Sequence, residues 1–211
     1  MASDWSTFES NMKPVYDMSN TQMSIDELSD YHATEYVTAV KAAQILMTSS
    51  KVSIGITKDP IKSAYKKAFT DLFNEKTPIS PNYKGNDPNP NQAESRKKIE
   101  DIFLPVATAI CTEWLKEIFT PATAPPPYVS PTSGYQVLIP GKPDALAKDL
   151  AKAFYIAQSE LDNNTAYNLF ITLLIAAYTK HLLTISGIFN GLIPAAPSPI
   201  PGPPFPWIAV T

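Results

Sequence analysis

The sequence predicts an all-α protein, a helical bundle of about five helices with proline-rich connectors and an extended C-terminal tail. Two observations predict this class. Apolar residues recur at spacings of three and four in five segments, which is the periodicity of a helix that buries one face. Several of these segments also begin with residues that cap helices. Convincing strand composition occurs inside the chain only at residues 135–139, YQVLI, so we expect at most one short strand pair.

The first long helix is predicted over residues 24–47, after a short helix near residues 5–12. It begins with a capping box, in which Ser24 and Glu27 each satisfy the other's backbone N–H. The second helix begins at Pro60, whose fixed φ suits the first helical position. Four lysines surround the apolar face of this second helix and are interpreted as a solvated surface: Lys58, Lys62, Lys66 and Lys67.

Residues 75–91 are rich in proline and asparagine and are predicted to form a polar loop. The third helix follows over residues 92–119. Its apolar register runs through Pro105 to Ile118, so Pro105 is expected to kink one helix rather than separate two.

The fourth helix is predicted over residues 143–161 and the fifth over residues 164–186, with Gly187 as its C-cap. The fifth is the most apolar segment of the chain and is predicted to be the centre of the core. Only one narrow stripe of it is expected to touch water: Asn168, Thr172, Ala176, Lys180 and Thr184.

Composition divides the chain into four parts. These are an N-terminal helical region (1–74), the polar loop (75–91), a helical core that contains a proline-rich connector at 120–143 (92–193), and a proline-rich tail (194–211). We found no internal repeat.

The tail is the most unusual part of the sequence. Seven of the fourteen residues in 194–207, PAAPSPIPGPPFPW, are proline, so this stretch can be neither a helix nor an interior strand. A polyproline ribbon presents apolar surface and has no internal hydrogen bonds. We therefore predict a docking arm whose removal leaves the helical part folded and blocks assembly. An alternative is that the tail packs on its own domain, with PWIAV paired against YQVLI. The predicted partner anchors are Pro199, Pro203, Phe205, Trp207 and Ile208.

Composition and spacing give no support to catalysis or to cofactor and metal binding. The net charge is −3 with a single arginine, which argues against nucleic acid as a partner. Cys111 lies in an apolar helical pattern and is interpreted as a small core residue. His32 and Glu35 resemble half of a di-metal motif, but the sequence holds no second copy, so they are interpreted as surface residues. His181 is interpreted as complementing a helix dipole.

The fifth helix leaves a membrane alternative open. Its roughly 22 residues would span about 33 Å, near the thickness of a bilayer core. Asn168, Lys180 and His181 interrupt it, so a core helix is favoured. The alternative is a membrane-active protein that inserts helix 164–186 and the following hairpin. A third possibility, a small helical enzyme or ligand carrier, would need a pocket lined by convergent polar groups.

The order of segments resembles a family of small structural proteins from the virions of contractile-tailed bacteriophages. The segments that carry the resemblance are DWSTFESNMKPVYDMSNTQMSIDELSDYHATEYVTAVKAA, PPPYVSPTSGYQVLIPG, YTKHLLTISGIFNGLIP and PGPPFPWIAV. The resemblance implies a non-enzymatic subunit of the tail or baseplate, present in several copies and without a cofactor. It implies other virion structural proteins as partners. No catalytic residue carries over from this family.

These observations together predict the place of the protein in the cell. The N-terminus has no basic region followed by an apolar stretch, so synthesis in the host cytoplasm and incorporation into the virion are expected. Neither nucleic acid binding nor membrane contact is expected.

Overall fold

A computed structural model describes residues 3–16, 23–46, 51–52, 55–74, 90–120, 126–157 and 162–211. Within them the chain forms six helices and a six-stranded antiparallel sheet. The fold is therefore mixed α and β, and the prediction of an all-α protein was wrong, although the helices do form a bundle. The polar loop predicted over residues 75–91 lies outside the described residues, apart from the first two residues of a helix.

The six helices pack mainly against their neighbours in the sequence. They are α1 (Trp5–Val15), α2 (Ile25–Val40), α3 (Lys58–Asn74), α4 (Pro90–Trp114), α5 (Pro143–Ala157) and α6 (Asn163–Leu182). Each contacts the next along the chain, and α1 also contacts α6, which closes the bundle into a ring. Elements that are consecutive in a chain usually pack next to each other.

The capping box predicted at the start of α2 is confirmed, because Ser24 Oγ accepts from the Glu27 N–H and the Glu27 carboxylate accepts from the Ser24 N–H. The five residues of the stripe predicted for α6 are exposed, but Thr165, Thr179 and Leu183 are exposed as well, so the solvent-facing surface is wider than the single stripe predicted. The lysines of α3 do more than face solvent. Lys58 and Lys62 pair with Asp30 on α2 at 2.9 and 3.1 Å, so they join two helices.

Three predicted helices end earlier than their apolar patterns suggested. The helix starting at Ser24 ends at Val40 because the segment after it is held by the C-terminus, where Ile45 bridges Val210. The third ends at Trp114, and the fifth ends at Leu182. The chain then enters strands, where backbone hydrogen bonds come from distant segments rather than from the same helix.

Six strands form the sheet. They are β1 (Lys51–Val52), β2 (Ile118–Thr120), β3 (Ser130–Pro140), β4 (Ile185–Ile193), β5 (Ile200–Pro201) and β6 (Phe205–Ile208). The order is β1, β2, β3, β4, and both β5 and β6 pair with β4 on its far side. The tail is thus one interrupted edge strand of its own sheet. It does not pair with residues 135–139, which lie in β3 on the other side of β4.

Gly187 is not the C-cap of a helix but the middle of β4, opposite Val137 on one side and Trp207 on the other. A Cβ at this position would lie 1.8 Å from the Gln136 carbonyl oxygen and 2.8 Å from the Trp207 ring. Glycine is required here because the backbone of β3 and the indole of β6 both approach it closely.

Two prolines of the tail fit an edge strand because their nitrogens point away from β4. Ala209 donates to Ile185 at 2.9 Å and Gly202 donates to Gly191 at 2.9 Å. Successive backbone N–H groups of a strand point alternately to its two sides. The nitrogens of Pro201 in β5 and Pro206 in β6 therefore face the side away from β4. A missing N–H at these positions removes no hydrogen bond from the sheet.

One face of the sheet packs on the helices. Trp114 of α4 stacks on Phe119 of β2 with ring centroids 6.3 Å apart, and Phe119 meets Trp207 at 5.4 Å. Trp207 and Val210 are buried in the core. Removal of the tail would therefore open the core, contrary to the expectation that the helical part folds without it.

Candidate functional site

The face of the sheet turned away from the helices is an uncovered apolar surface. Side chains alternate between the two faces of a strand, so residues next to the buried ones point outward. Six outward residues on four neighbouring strands define what we call the outer sheet face: Ile118, Leu138, Ile139, Ile188, Pro206 and Ile208.

The register brings these residues together. Ile118 lies opposite Gln136, which lies opposite Ile188, which in turn lies opposite Pro206. In the adjoining row, Ser186 is flanked by Ile139 and Ile208. A register shift between Val137 and Ile139 leaves both Leu138 and Ile139 exposed. The outer sheet face is therefore continuous from β2 to β6.

Large aliphatic side chains on the outer sheet face are open to solvent. Ile118 is 42% exposed, Leu138 54%, Ile139 55% and Ile208 64%. The outward positions of β2, β3, β4 and β6 carry no charged residue. Scattered exposed apolar residues are ordinary, but a contiguous group on one face of a sheet is typical of a surface that binds another protein.

The five predicted partner anchors lie in different environments in the structure. Ile208 lies on the outer sheet face, whereas Trp207 points into the core of its own chain. Phe205 is half-buried next to Tyr128. Pro199 and Pro203 are exposed, and the Pro203 carbonyl accepts a hydrogen bond from the Tyr128 hydroxyl. The tail therefore contributes one edge of the surface rather than a free ribbon.

The sequence interpretation missed Ile118, Leu138, Ile139 and Ile188. Ile118 fits the helical register of the residues before it, and residues 185–193 continue an apolar helical run. In β4 buried and half-buried residues alternate, but the sequence does not show this period, because Gly187 occupies a buried position and Ile188 an outward one.

Cys111 and His181 form the contact that most resembles a nucleophile with its base. The Cys111 sulfur lies 3.4 Å from His181 Nε2, and the same nitrogen lies 2.8 Å from the Pro140 carbonyl oxygen. A carbonyl can only accept, so Nε2 carries the hydrogen and cannot take the thiol proton. Burial raises the pKa of Cys111 to about 12 and lowers the pKa of His181 to about 4. Both groups remain neutral, and the geometry is that of a packing contact.

His32 and Glu35 lie inside the protein, and their interpretation as surface residues was wrong. The His32 ring packs against Tyr65 and Phe69 with centroids 4.9 and 5.1 Å away, and its Nε2 contacts the Tyr16 hydroxyl. Burial lowers the pKa of His32 to about 3. Glu35 accepts from the Asn11 amide at 2.8 Å. These contacts join α2 to the start of the chain and to α3.

Two buried carboxylates at the end of α4 hold the segment that leads into α3. Glu113 accepts from the backbone N–H and the hydroxyl of Thr57, each at 2.8 Å, and Glu117 accepts from the Gly55 N–H at 2.6 Å. Burial acts to raise the pKa of Glu113, but hydrogen bonds from Lys116 and Thr57 hold it below its usual value. Burial raises the pKa of Glu117 to about 7, against its backbone hydrogen bonds.

Two cavities in the described part of the chain are small. One of about 200 Å³ lies beside His181 and contains the Lys180–Asp149 ion pair, whose atoms are 2.6 Å apart. Another of about 280 Å³ is lined by Lys13, Asn164 and Tyr167. Sites for small ligands usually enclose about 300–1,000 Å³. Within the described residues, no group of three or more His, Cys, Asp or Glu side chains could hold a metal ion.

No helix in the described part of the chain is long and apolar enough to cross a membrane. Comparison with known protein families, with curated proteins and with solved structures found no match to this chain.

Proposed function

We propose that this protein is a non-enzymatic structural subunit of a bacteriophage virion, associated with the tail or baseplate, and that it attaches to neighbouring subunits through the outer sheet face. The observation that carries the proposal is the row of uncharged, largely exposed aliphatic side chains that runs over four strands of the described sheet. The tail or baseplate assignment is supported by the resemblance of the segment order to that family of virion proteins.

The energetics of the surface favour a stable contact. Burying a fully exposed Leu or Ile side chain contributes about 1.5–3 kcal/mol. The four aliphatic residues of the outer sheet face that are about half exposed would together contribute about 3–6 kcal/mol. Interfaces in permanent assemblies are of this apolar kind.

The strand at the edge of the outer sheet face is fixed to the core of its own chain. Trp207 and Val210 fix the C-terminal strand to the core, so Pro206 and Ile208 are presented by a strand that is already folded. A preformed surface loses little conformational entropy when it binds. This explains why the proline-rich tail packs on its own chain and still contributes to the contact.

The experiment is incorporation into particles. Particles purified from cells that produce the protein are analysed by quantitative mass spectrometry, with the wild-type chain compared with Leu138→Lys and with Phe73→Lys. Phe73 is 67% exposed on α3, outside the sheet, and serves as a matched control. We expect the wild type and the control at a fixed copy number, and Leu138→Lys depleted by about tenfold or more, because a lysine cannot be buried unpaired at low cost.

Two results would contradict the proposal. One is the absence of the wild-type chain from purified particles. The other is normal incorporation of Leu138→Lys. Circular dichroism of the purified variants verifies that each one folds. Flotation with lipid vesicles tests the membrane alternative. Recovery of the wild-type chain with the lipid would favour that alternative over the proposal.

A further inference from the structure

We infer that Glu113 and Glu117 form a proton-controlled latch, in which protonated Glu117 keeps residues 55–57 closed over the end of α4 and loss of this proton opens them. Residues 55–57 lie between the edge strand β1 and the start of α3. Their opening would loosen a connection between the sheet and the helices. The inference is independent of the outer sheet face and of the proposed attachment.

The two carboxyl groups hold every backbone N–H of residues 55–57. Glu113 accepts from the N–H and the hydroxyl of Thr57, each at 2.8 Å. Glu117 accepts from the Gly55 N–H at 2.6 Å and also from the Ile56 N–H. A Cβ at Gly55 would lie 2.6 Å from Glu117 Oε1, so this segment fits closely against the carboxyl group.

The negative charge of Glu113 is compensated. Its carboxylate is ion-paired with Lys116, and Thr57 directly precedes α3, so the carboxylate lies at a helix N-terminus where negative charge is favourable. Burial acts to raise the pKa of Glu113, but hydrogen bonds from Lys116 and Thr57 keep it below its usual value. Glu113 therefore stays ionised at neutral pH.

Glu117 lacks this compensation. It is 1% exposed, and its Oε2 is buried without a hydrogen-bond partner among the described residues. Phe119, two residues further along the chain, and Val137, whose N–H binds the Glu117 carbonyl, are both buried and apolar. The charge that acts on Glu117 is that of Glu113, which repels a second negative charge, while the Lys116 ammonium group is bound to Glu113. An ionised Glu117 is therefore unfavourable while the segment is closed.

Opening of residues 55–57 would let water reach Glu117. In the closed state burial raises the pKa of Glu117 from 4.5 to about 7, against its backbone hydrogen bonds, and hydration would return the pKa towards 4.5. The closed state is thus most favoured below about pH 4.5. Opening becomes easier as the pH rises towards 7, and the effect levels off above that pH.

Amide hydrogen exchange of the full-length chain, followed by NMR at pH 5 and pH 8, tests the latch. The rates are expressed as protection factors, which remove the intrinsic pH dependence of exchange. In the wild type, protection of Gly55 and Thr57 should fall by about tenfold or more from pH 5 to pH 8. Glu117→Gln keeps the shape of the side chain without its charge and should abolish this fall. Glu9→Gln makes the same change at an exposed position of α1 and should behave as the wild type does.

Small additions of urea separate the latch from unfolding of the whole chain. Local opening exposes little surface, so the exchange rates of Gly55 and Thr57 should depend weakly on urea, whereas those of core amides in α5 should depend on it steeply.

Three results would overturn the inference. Equal protection of Gly55 and Thr57 at both pH values in the wild type would show that no proton controls this segment, and this comparison needs no variant. The same fall in Glu117→Gln would place the proton on another group. A urea dependence as steep as that of the core amides would mean that the segment opens only when the whole chain unfolds. All three are measured on the free chain, so they leave incorporation into particles as a separate test of the proposed function.

Discussion

Gly187 is the residue at which the sheet, the core and the C-terminal tail meet. A side chain there would overlap the carbonyl of Gln136 and press on the Trp207 indole. A second close approach occurs at Gly141, which has φ +90° and whose Cβ would lie 2.6 Å from the His181 ring. Both positions show how particular residues, rather than average composition, join the sheet to the helices.

Gly187→Ala should destabilise the protein, because neither the β3 backbone nor the buried indole can move away without disturbing the sheet. Overpacking of this kind costs about 1–3 kcal/mol or more. Urea unfolding measures the change, with Ser186→Ala as the neighbouring control, which is half-buried and points to the outer side. Equal midpoints for the two variants would mean that β3 and β6 do not approach Gly187 this closely.

Glu117 should make stability depend on pH in an unusual direction for a carboxylate. Burial raises its pKa from 4.5 to about 7 in the folded state, so the folded chain holds a proton that the unfolded chain loses above pH 4.5. Stability from this group is therefore fully present below about pH 4.5 and is lost as the pH rises through 7, by about 3 kcal/mol in total.

The Glu117→Gln variant isolates this effect. The free energies of unfolding of the variant and the wild type are measured in urea at pH 5 and pH 8. From pH 5 to pH 8 the wild type should lose stability relative to the variant, because only the wild type has a carboxyl group at this position that becomes charged. The lowered pKa values of His32 and His181 act below pH 6.5 in both proteins and cancel in the difference. A difference that is the same at both pH values would show that Glu117 titrates normally.

At the scale of elements, the helices were the predictable part of the fold. Capping residues such as Ser24 act on N–H groups only a few residues away, so the sequence contains their full signal. Strands depend on partners that are distant in the chain. Ile118 and Ile185 continue helical patterns and become strand residues only because Gln136 and Pro140 lie opposite them on β3.

The candidate surface was predictable only in part, for the same reason. Ile208 was expected to bind a partner because it lies in an apolar stretch among prolines. Leu138 and Ile118 become exposed because the helices cover the other face of the sheet, which no local pattern reveals. Trp207 was also expected to bind a partner, but it packs in the core of its own chain. The local sequence around a tryptophan does not distinguish these two environments, because the indole buries a large apolar surface in both.

The edge strand should lose its protection against strand addition when its outward prolines are replaced. The double variant Pro201→Thr, Pro206→Thr restores two N–H donors at the open edge and leaves the pairing with β4 in place. We expect larger species in light scattering than for Pro203→Thr, Pro204→Thr, in which the prolines lie outside the strands. Identical size distributions would mean that these nitrogens do not block the edge.

At the scale of the whole molecule, the tail belongs to the core as much as the helices do. Gln44 and Thr211 exchange backbone hydrogen bonds at 3.0 and 2.9 Å, so the end of the chain also fixes the segment after α2. The stability of the domain and the presentation of its outer sheet face are thus linked through the same strand.

Deletion of residues 194–211 should therefore destabilise the entire domain. Loss of a buried tryptophan such as Trp207 costs about 3–5 kcal/mol alone, against a typical total stability of about 5–15 kcal/mol. Thermal unfolding followed by circular dichroism should show a greatly lowered midpoint for the deletion and a small change for Ile208→Ala, an exposed position on the same strand. A deletion that melts like the wild type would mean that the tail is not part of the core.

Hydroxyl-radical footprinting of the chain, in dilute solution and in its assembled state, tests the attachment surface most directly. The account predicts that Leu138, Ile139 and Ile208 lose reactivity on assembly, because the outer sheet face becomes covered, while Phe73 stays reactive. Unchanged oxidation of these three residues in an assembly that protects other parts of the chain would contradict it.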